Sequence, residues 1–404
     1  MAFHSHRKLT VVVRAAAFLA LAQGAVTAQT LPRQLQVTPA IDVSQFVGVP
    51  SCAFALNELG MVVGMRTSYG QFRGFSWSPA GTVDLGWDTI ALAVNDHGDI
   101  AGYGNVLGTG LGARLWTHNG TVSSQIAVGR AYSLNDRVEV VGFHVPPSTI
   151  EHAFRWTSSS GLEDVESLTG AVPAWSYFTP FSEARFIRTD GVMTGWRDRV
   201  AVIWQPNGEF SALGPGAANS ISDLDVVVGT TSLSDGQPVV WQRGAPTIIA
   251  DSTGAAADIN AAGYVVGWID VSGERHAFVW HPEHGFQDLG PGQLSSIDEI
   301  GRAAGCSGTA ATVWQIEMTT DEYLLGFESY TRRLLADVDQ KQTRAVLREI
   351  GLAQKSAERS HASVAHRHLN RALAGIGTIA QSGQLPTEWT QSLLAIGQWI
   401  GQRF

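Results

Sequence analysis

Asn57-Glu-Leu-Gly-Met-Val-Val-Gly64, followed by an apolar strand that ends on Trp77, decides the fold, because the chain repeats this pattern seven times. The equivalents run from Asn95 to Gly102 and Trp116, from Asn135 to Gly142 and Trp156, and from Thr189 to Gly195 and Trp204. They continue from Asp223 to Gly229 and Trp241, from Asn260 to Gly267 and Trp280, and from Asp298 to Gly305 and Trp314. Successive glycines lie 38, 40, 53, 34, 38 and 38 residues apart, a period that belongs to propeller blades or solenoid turns. Each unit has room for four short strands.

The residue types assign those strands. Small apolar segments before the Asn, as in Cys52-Ala-Phe-Ala-Leu56 and Ala91-Leu-Ala-Val94, suit an innermost strand crowded against an axis. Asn-x-x-Gly then reverses the chain, since Asn, Asp and Gly tolerate the backbone angles of tight turns. Val62-Val63-Gly64 reads as the second strand, and His152-Ala-Phe-Arg-Trp156 or His276-Ala-Phe-Val-Trp280 as the third. Phe and Trp two residues apart share one strand face, so each unit offers an aromatic slab to its neighbour. The pattern predicts an all-β fold over residues 29–319, a seven-bladed β-propeller of four-stranded blades. The seventh unit has no fourth strand of its own, and the β-like segment from Gln34 to Val43 is expected to supply it, because natural sheets avoid bare edges.

Beyond Met318 glycine thins out and the spacing turns helical. Leu324, Phe327, Leu334, Leu335 and Val338 form one apolar stripe, and Val346, Leu347 and Ile350 a second. Ala362, Ala365, Leu369, Leu373, Ile376 and Ile379 form a third, and Trp389, Leu393, Ile396, Trp399 and Ile400 a fourth. A small four-helix C-terminal domain over 320–404 follows. At the other end, Arg7, Lys8 and Arg14 precede an apolar run and a small-residue stretch ending on Ala28, the layout of a signal peptide over residues 1–28. The expected location is therefore secreted, cell-surface associated or periplasmic, with no transmembrane span after leader removal. Losing those three cations takes the net charge from -9 to -12, which gives nucleic acid no electrostatic footprint. Cys52 and Cys306, in the first and last repeats, would be neighbours in a ring; a disulfide and two buried thiols are both open at this stage.

The His-Ala-Phe-x-Trp strand, the Asp-Leu-Gly segment and the Asn-x-x-Gly-x-Val-Val-Gly hairpin together resemble the HAF repeat of bacterial extracellular proteins, over roughly residues 45–316. The resemblance implies a propeller-like secreted or surface protein and names no reaction. Its fit is poorest in the fourth unit, Thr189-Asp-Gly-Val-Met-Thr-Gly195. The stretch from Arg367 through Ser382-Gly-Gln-Leu and the helix after it resemble a FIMAH-type helical domain, which implies a spacer or surface-association module.

Chemistry is harder to find. Asn95-Asp-His-Gly-Asp99 is rich in oxygen ligands, but it lacks the longer loop and terminal acid of an EF-hand and reads as a turn. His361, His366 and His368 are not one helical turn apart, and His281-Pro-Glu-His284 reads as a turn, so no metal and no cofactor are expected. Where the inner strands begin, the residues are mostly Ser51, Thr89, Ser133, Asn219 and Ser295, with charge confined to Asp88, Arg130, Glu183 and Arg185. The long insertion of the third spacing, the 53-residue one, carries Trp175, Tyr177, Phe178 and Phe181, a candidate lip for stacking on a sugar or peptide. The reading is a monomeric, non-catalytic binding or interaction protein whose partner is a polysaccharide, peptide or envelope component. Its rival is a carbohydrate-active enzyme, a lyase or glycoside hydrolase, with two acids facing across the central channel.

Overall fold

The computed structural model describes residues 35–106, 110–117, 120, 122–146, 150–168 and 181–404. The leader and three of the lip aromatics, Trp175, Tyr177 and Phe178, lie outside the described residues. The repeats fold as antiparallel meanders: the first pairs Ser51–Leu56, Val62–Ser68, Gln71–Ser78 and Gly81–Trp87 in that order. The fourth runs Ser182–Ile187, Met193–Arg197, Val200–Trp204 and Phe210–Pro215, and the fifth Ala217–Ile221, Val226–Thr230, Pro238–Gln242 and Ala245–Ile248.

Elsewhere one strand serves two repeats. Val122–Leu134 pairs through its first half with Gly110–Thr117 and through its second with Val140–His144. Gly285–Ile297 does the same between Glu274–His281 and Arg302–Ser307. The last repeat lacks an outer strand of its own, and Val37–Asp42 pairs antiparallel with Ala310–Ile316 in that place, as the sequence led us to expect.

The repeated Trp is explained by packing. Each of the seven sits in an apolar cluster with residues of the repeat before it. Trp116 packs with Ala55, Met61 and Val63, Trp204 with Val141 and Ala153, and Trp241 with Val192 and Ala201. Trp77 packs with Ala304, Ala311 and Val313, so the last repeat is the neighbour of the first. The bond Cys52–Cys306 joins the same two repeats across a sequence separation of 254.

The repeated Gly is explained by close approach. In every inner strand one residue is skipped by the ladder with the second strand, a β-bulge that re-aims a side chain. The repeat glycine stands opposite the residue beside that bulge, as in the pairs Ala53 with Gly64, Ala218 with Gly229 and Leu294 with Gly305. A Cβ at any of the seven glycines would fall 1.9–2.1 Å from an inner-strand carbonyl oxygen. No side chain fits there without moving backbone.

The C-terminal helices span Thr320–Leu334, Gln340–Glu358, Ala362–Gln381 and Thr387–Gly401. Thr319 and Glu322 form a capping box on the first, and Asp339 caps the second, satisfying N–H groups that have no partner inside the helix. Their apolar stripes do not make an isolated bundle. Leu324, Phe327, Leu373 and Ile396 belong to one core with Tyr264, Val266, Ile300 and Trp314 of the last two repeats.

Gly142→Ala should lower the unfolding free energy by about 1–3 kcal/mol, as overpacking does. Gly351→Ala, in a helix with nothing within 4 Å of the new Cβ, should instead raise it by about 0.5–1 kcal/mol. Urea melts of the two variants check both signs. Replacing Cys52 and Cys306 with Ser should cost about 2–4 kcal/mol in the same assay, and a melt unchanged by reductant would contradict it.

Candidate functional site

The inner-strand residues of all seven repeats converge on one cavity of about 290 Å³, lined by Phe54 to Glu58, Leu92 to Asp96, Tyr132 to Asp136 and their equivalents around to Ser295 to Glu299. Meanders radiating from a shared channel define a propeller architecture. At one end of the channel the hairpin turns form a chain of hydrogen bonds. Asn57 Oδ1 accepts from the N–H groups of Leu59 and Met61, while its Nδ2 donates to the carbonyl of Asn95 in the next repeat at 2.8 Å. Asn95 donates to Asn135 and Asn135 to Arg188 in the same way, and Asn260 donates to Asp298. Arg302 brings the chain back to the carbonyls of Asn57 and Glu58.

These contacts correct the register of two repeats. The turn residues equivalent to Asn57 are Arg188 and Ser222, one position before the Thr189 and Asp223 that the sequence pattern suggested. Asn95-Asp-His-Gly-Asp99 is one of these turns, with Asn95 Oδ1 accepting from His97 and Asp99.

The next position in each turn gathers acids. Asp96 accepts from the Glu58 N–H, Asp136 from Asp96, Glu299 from Ala261, and Glu58 from Glu299. The first C-terminal helix closes over this collar. Arg333 reaches Glu58 at 3.2 Å and Glu299 at 3.4 Å, and Ser329 donates to Asp223 and Glu299. The backbone approach is close enough that a Cβ on Gly326 would lie 2.0 Å from the Glu299 carbonyl oxygen. Burial raises Asp96 to about 7, with Asp136 adding to it, and raises Glu299 to about 7 against the pull of Arg333. Glu58 is pushed up by burial and by Asp298. Burial alone would lower Arg333, but Glu299, Asp223 and Glu58 outweigh it and hold the guanidinium charged. This end of the channel is covered, and its acids are committed to turns and to Arg333.

Among the described residues, the other end is open. The seven bulge residues Phe54, Leu92, Tyr132, Arg185, Asn219, Ala257 and Ser295 form a ring of half-buried side chains on the channel wall. The same ring borders a second cavity of about 360 Å³ that extends to Ser232, Ser234, Thr253 and Trp268. Tyr132 lies 5.6 Å from the Arg185 guanidinium carbon, and burial followed by Glu183 raises its phenol to about 12, so it stays a hydrogen-bond donor. Arg185 pairs with Glu183 at 3.0 Å through one terminal nitrogen, while its Nε is buried without an acceptor. Strand order puts the turns between second and third strands on this face. Tyr69, in one of them, is 98% exposed. Trp87 and Phe181, where adjacent repeats join, are 45% and 50% exposed on the same side.

Several residues singled out by type have other duties. Ser51 Oγ accepts from Ala311 N–H, Thr89 from Gly74, and Ser133 from Ile187, so all three brace neighbouring repeats, and of them only Ser133 also lines the channel. Glu183 is held by Trp196 and Arg185, and neither it nor Asp88 lines either cavity. Arg130 lies over the Tyr103 ring at 4.7 Å. On the helices, His368 pairs with Glu349 at 2.7 Å and His366 packs on Phe404, and the three histidines do not converge. His281 and His284 stack at 4.4 Å beside Tyr264, and His284 bonds Glu322 of the first helix at 2.9 Å.

One cluster was missed in the sequence. His152 Nδ1 lies 2.7 Å from Asp164 and His276 Nδ1 2.9 Å from Asp288, a pair recurring at the same places of the third and sixth repeats. The recurrence of His-Ala-Phe with an Asp twelve residues on was its signal.

No family model matches the chain, and no curated protein matches it. Among solved structures it is similar to the β-propeller domain of the Trilobed protease from Pyrococcus furiosus, at 12% identity and a TM-score of 0.43, over 72% of this chain and 96% of that one. It is also similar to TolB from Acinetobacter baumannii, at 12% identity and 0.41, over 61% of this chain and 65% of that one. The Pyrococcus horikoshii acylaminoacyl peptidase matches at 13% identity and 0.41, over 66% of this chain and 51% of that one. Likeness at this level carries no argument about activity.

Asp96 and Glu299 bind a proton more tightly folded than unfolded, so the stability they confer is present below the unfolded carboxylate range and is lost as pH rises through about 7. The melting temperature should therefore fall from pH 6 to pH 8. Arg333→Met, which strands two buried acids, should cost about 3–5 kcal/mol at pH 8 and clearly less at pH 6. Equal losses at both values would contradict the collar's role.

Proposed function

We propose that the protein is a secreted or cell-surface binding protein, a closed seven-bladed propeller that takes its ligand at the open end of the channel. The observation that carries this is the bulge ring. At positions equivalent in backbone, the seven repeats place seven different residue types, whereas the flanking glycines and tryptophans repeat. A ring spent on packing would repeat its residues as those do; this one supplies an aromatic side, a guanidinium, an amide and hydroxyls. That mixture of apolar wall and a few convergent polar groups suits a saccharide or a peptide end that carries a carboxylate. Arg185 and the protonated Tyr132 are its donors, with Phe54 and Trp268 as stacking surfaces.

The acids argue against hydrolysis or lyase chemistry. A carboxylate pair must face one open pocket, yet Glu58, Asp96 and Glu299 lie beneath the helices and Glu183 is tied to Trp196. The bond between Cys52 and Cys306 suits an oxidising compartment, and the leader-like residues 1–28 suit export. The HAF-like and FIMAH-like resemblances point the same way. Phe181, half-exposed on the open face and fixed by its N–H to Asp198 at 3.2 Å, is the described member of the aromatic lip and would extend the binding surface.

Arrays of acidic and neutral glycans and of peptides, probed with the mature protein, should show retention of a carboxylate-bearing class. Tyr132→Ala and Arg185→Ala should each weaken it about tenfold or more, the loss expected for a buried charged hydrogen bond. Retention unchanged in both variants would move the site away from the channel.

A further inference from the structure

The third repeat holds an arrangement that the sixth does not complete. His144 ends its second strand, His152 begins the third directly opposite, and Asp164 ends the fourth, so three strand ends meet at one edge of the open face. We propose that His144, His152 and Asp164 bind one divalent transition-metal ion of zinc's class.

The donor atoms fit such an ion. His144 Nε2, His152 Nδ1 and the Asp164 carboxylate lie within 4.8 Å of one another. Asp164 Oδ2 is 2.7 Å from His152 Nδ1 and 3.3 Å from His144 Nε2. Tetrahedral zinc with ligands at about 2.0–2.1 Å sets its donors roughly 3.3 Å apart, so of the two Asp164 separations one already fits and the other must open by about half an ångström, while the two histidine nitrogens lie within 4.8 Å of each other. Two imidazoles and one carboxylate select zinc and its transition-metal neighbours over calcium or magnesium, which prefer all-oxygen shells.

The surroundings hold the ligands in place. His152 is fully buried, and His144 and Asp164 are each 9% exposed. Asp164 Oδ1 accepts the Glu166 N–H at 2.9 Å, which orients the carboxylate and leaves Oδ2 facing the histidines. Glu166 itself is taken by Arg197 at 2.9 Å. His144 Nε2 is buried and makes no well-directed hydrogen bond, its contact being the Asp164 carboxylate at 3.3 Å. A metal ion would satisfy it, and that unmet need is the independent sign that the cluster awaits a ligand.

The sixth repeat is an internal control. His276 and Asp288 reproduce the pair, but the residue opposite His276 is Ile269, a buried apolar side chain. The His–Asp pair alone is therefore compatible with the repeat fold, and His144 is what the third repeat adds. His144→Ile copies the sixth repeat and should fold.

The test uses the mature full-length chain, stripped by chelation and titrated with Co²⁺. One equivalent should produce visible d–d absorption that Zn²⁺ abolishes, and Zn²⁺ should raise the melting temperature. His144→Ile, with an unchanged near-ultraviolet circular dichroism spectrum, should lose affinity by more than the roughly 10–100-fold that a lost supporting contact costs. Asp164→Asn should do the same. Absence of the cobalt band in the parent protein would overturn the proposal. Binding unaltered in both variants, or abolished only by His284→Gln, would overturn it as well.

Discussion

The contact on which this architecture depends is the approach of the second strand's glycine to the carbonyl of the inner strand. With 1.9–2.1 Å between that oxygen and any added Cβ, the glycine is a steric requirement, and the space it vacates accommodates the bulge. The bulge in turn rotates one side chain out of the ladder and into the channel. A backbone constraint repeated seven times thus creates seven addressable positions on one wall. Sheet packing uses the residues around them: the alanines beside the bulge are buried in the cores between repeats, as Ala53, Ala91 and Ala184 show. Structure and variability are separated by a single residue along the strand.

The C-terminal helices pack directly on the covered end of this channel. Their core is continuous with that of the last two repeats, and the fourth helix reaches the second repeat through Trp389, whose ring lies tilted against His97 at 4.8 Å. Asp337 reaches Arg137 of the third at 3.9 Å, though exposed charges at that distance add little. The central contact is Arg333, whose charge offsets acids that the turn geometry places together. Acids in this register accept N–H groups from the adjacent turn, so they link repeats, and their mutual repulsion is the cost of that linkage. The helix offsets it with one guanidinium and one hydroxyl.

Much of this was legible in the sequence. The Trp period gave the repeats, the Asn and Gly gave the turns, and the upstream segment gave the outer strand of the last repeat, because each is a local demand with a local residue signature. The register in the fourth and fifth repeats was not legible, since Arg188 and Ser222 fill the Asn position and pattern matching slid by one residue. The bulge ring was hidden because a bulge is a property of pairing, and Phe54 or Leu92 looks like any core residue in a strand. Arg333 was hidden because a helix stripe reveals its apolar face and says nothing of what a flanking cation meets. The histidine cluster has no linear signature, because His144 and His152 face each other across a ladder and not along one helix.

Pairing Val37–Asp42 with Ala310–Ile316 has a consequence for the order of synthesis. The earliest segment of the described chain waits for nearly the last strand of the array, and until that strand emerges both ends of the growing stack expose bare edges. Such edges invite pairing with other chains, and contacts this distant in sequence form slowly. A chain made from its N-terminus must therefore hold this strand idle while some 270 residues follow it. The polar and turn-forming residues of Gln36-Val-Thr-Pro-Ala-Ile-Asp42 suit a strand that pairs poorly with anything but its own late partner.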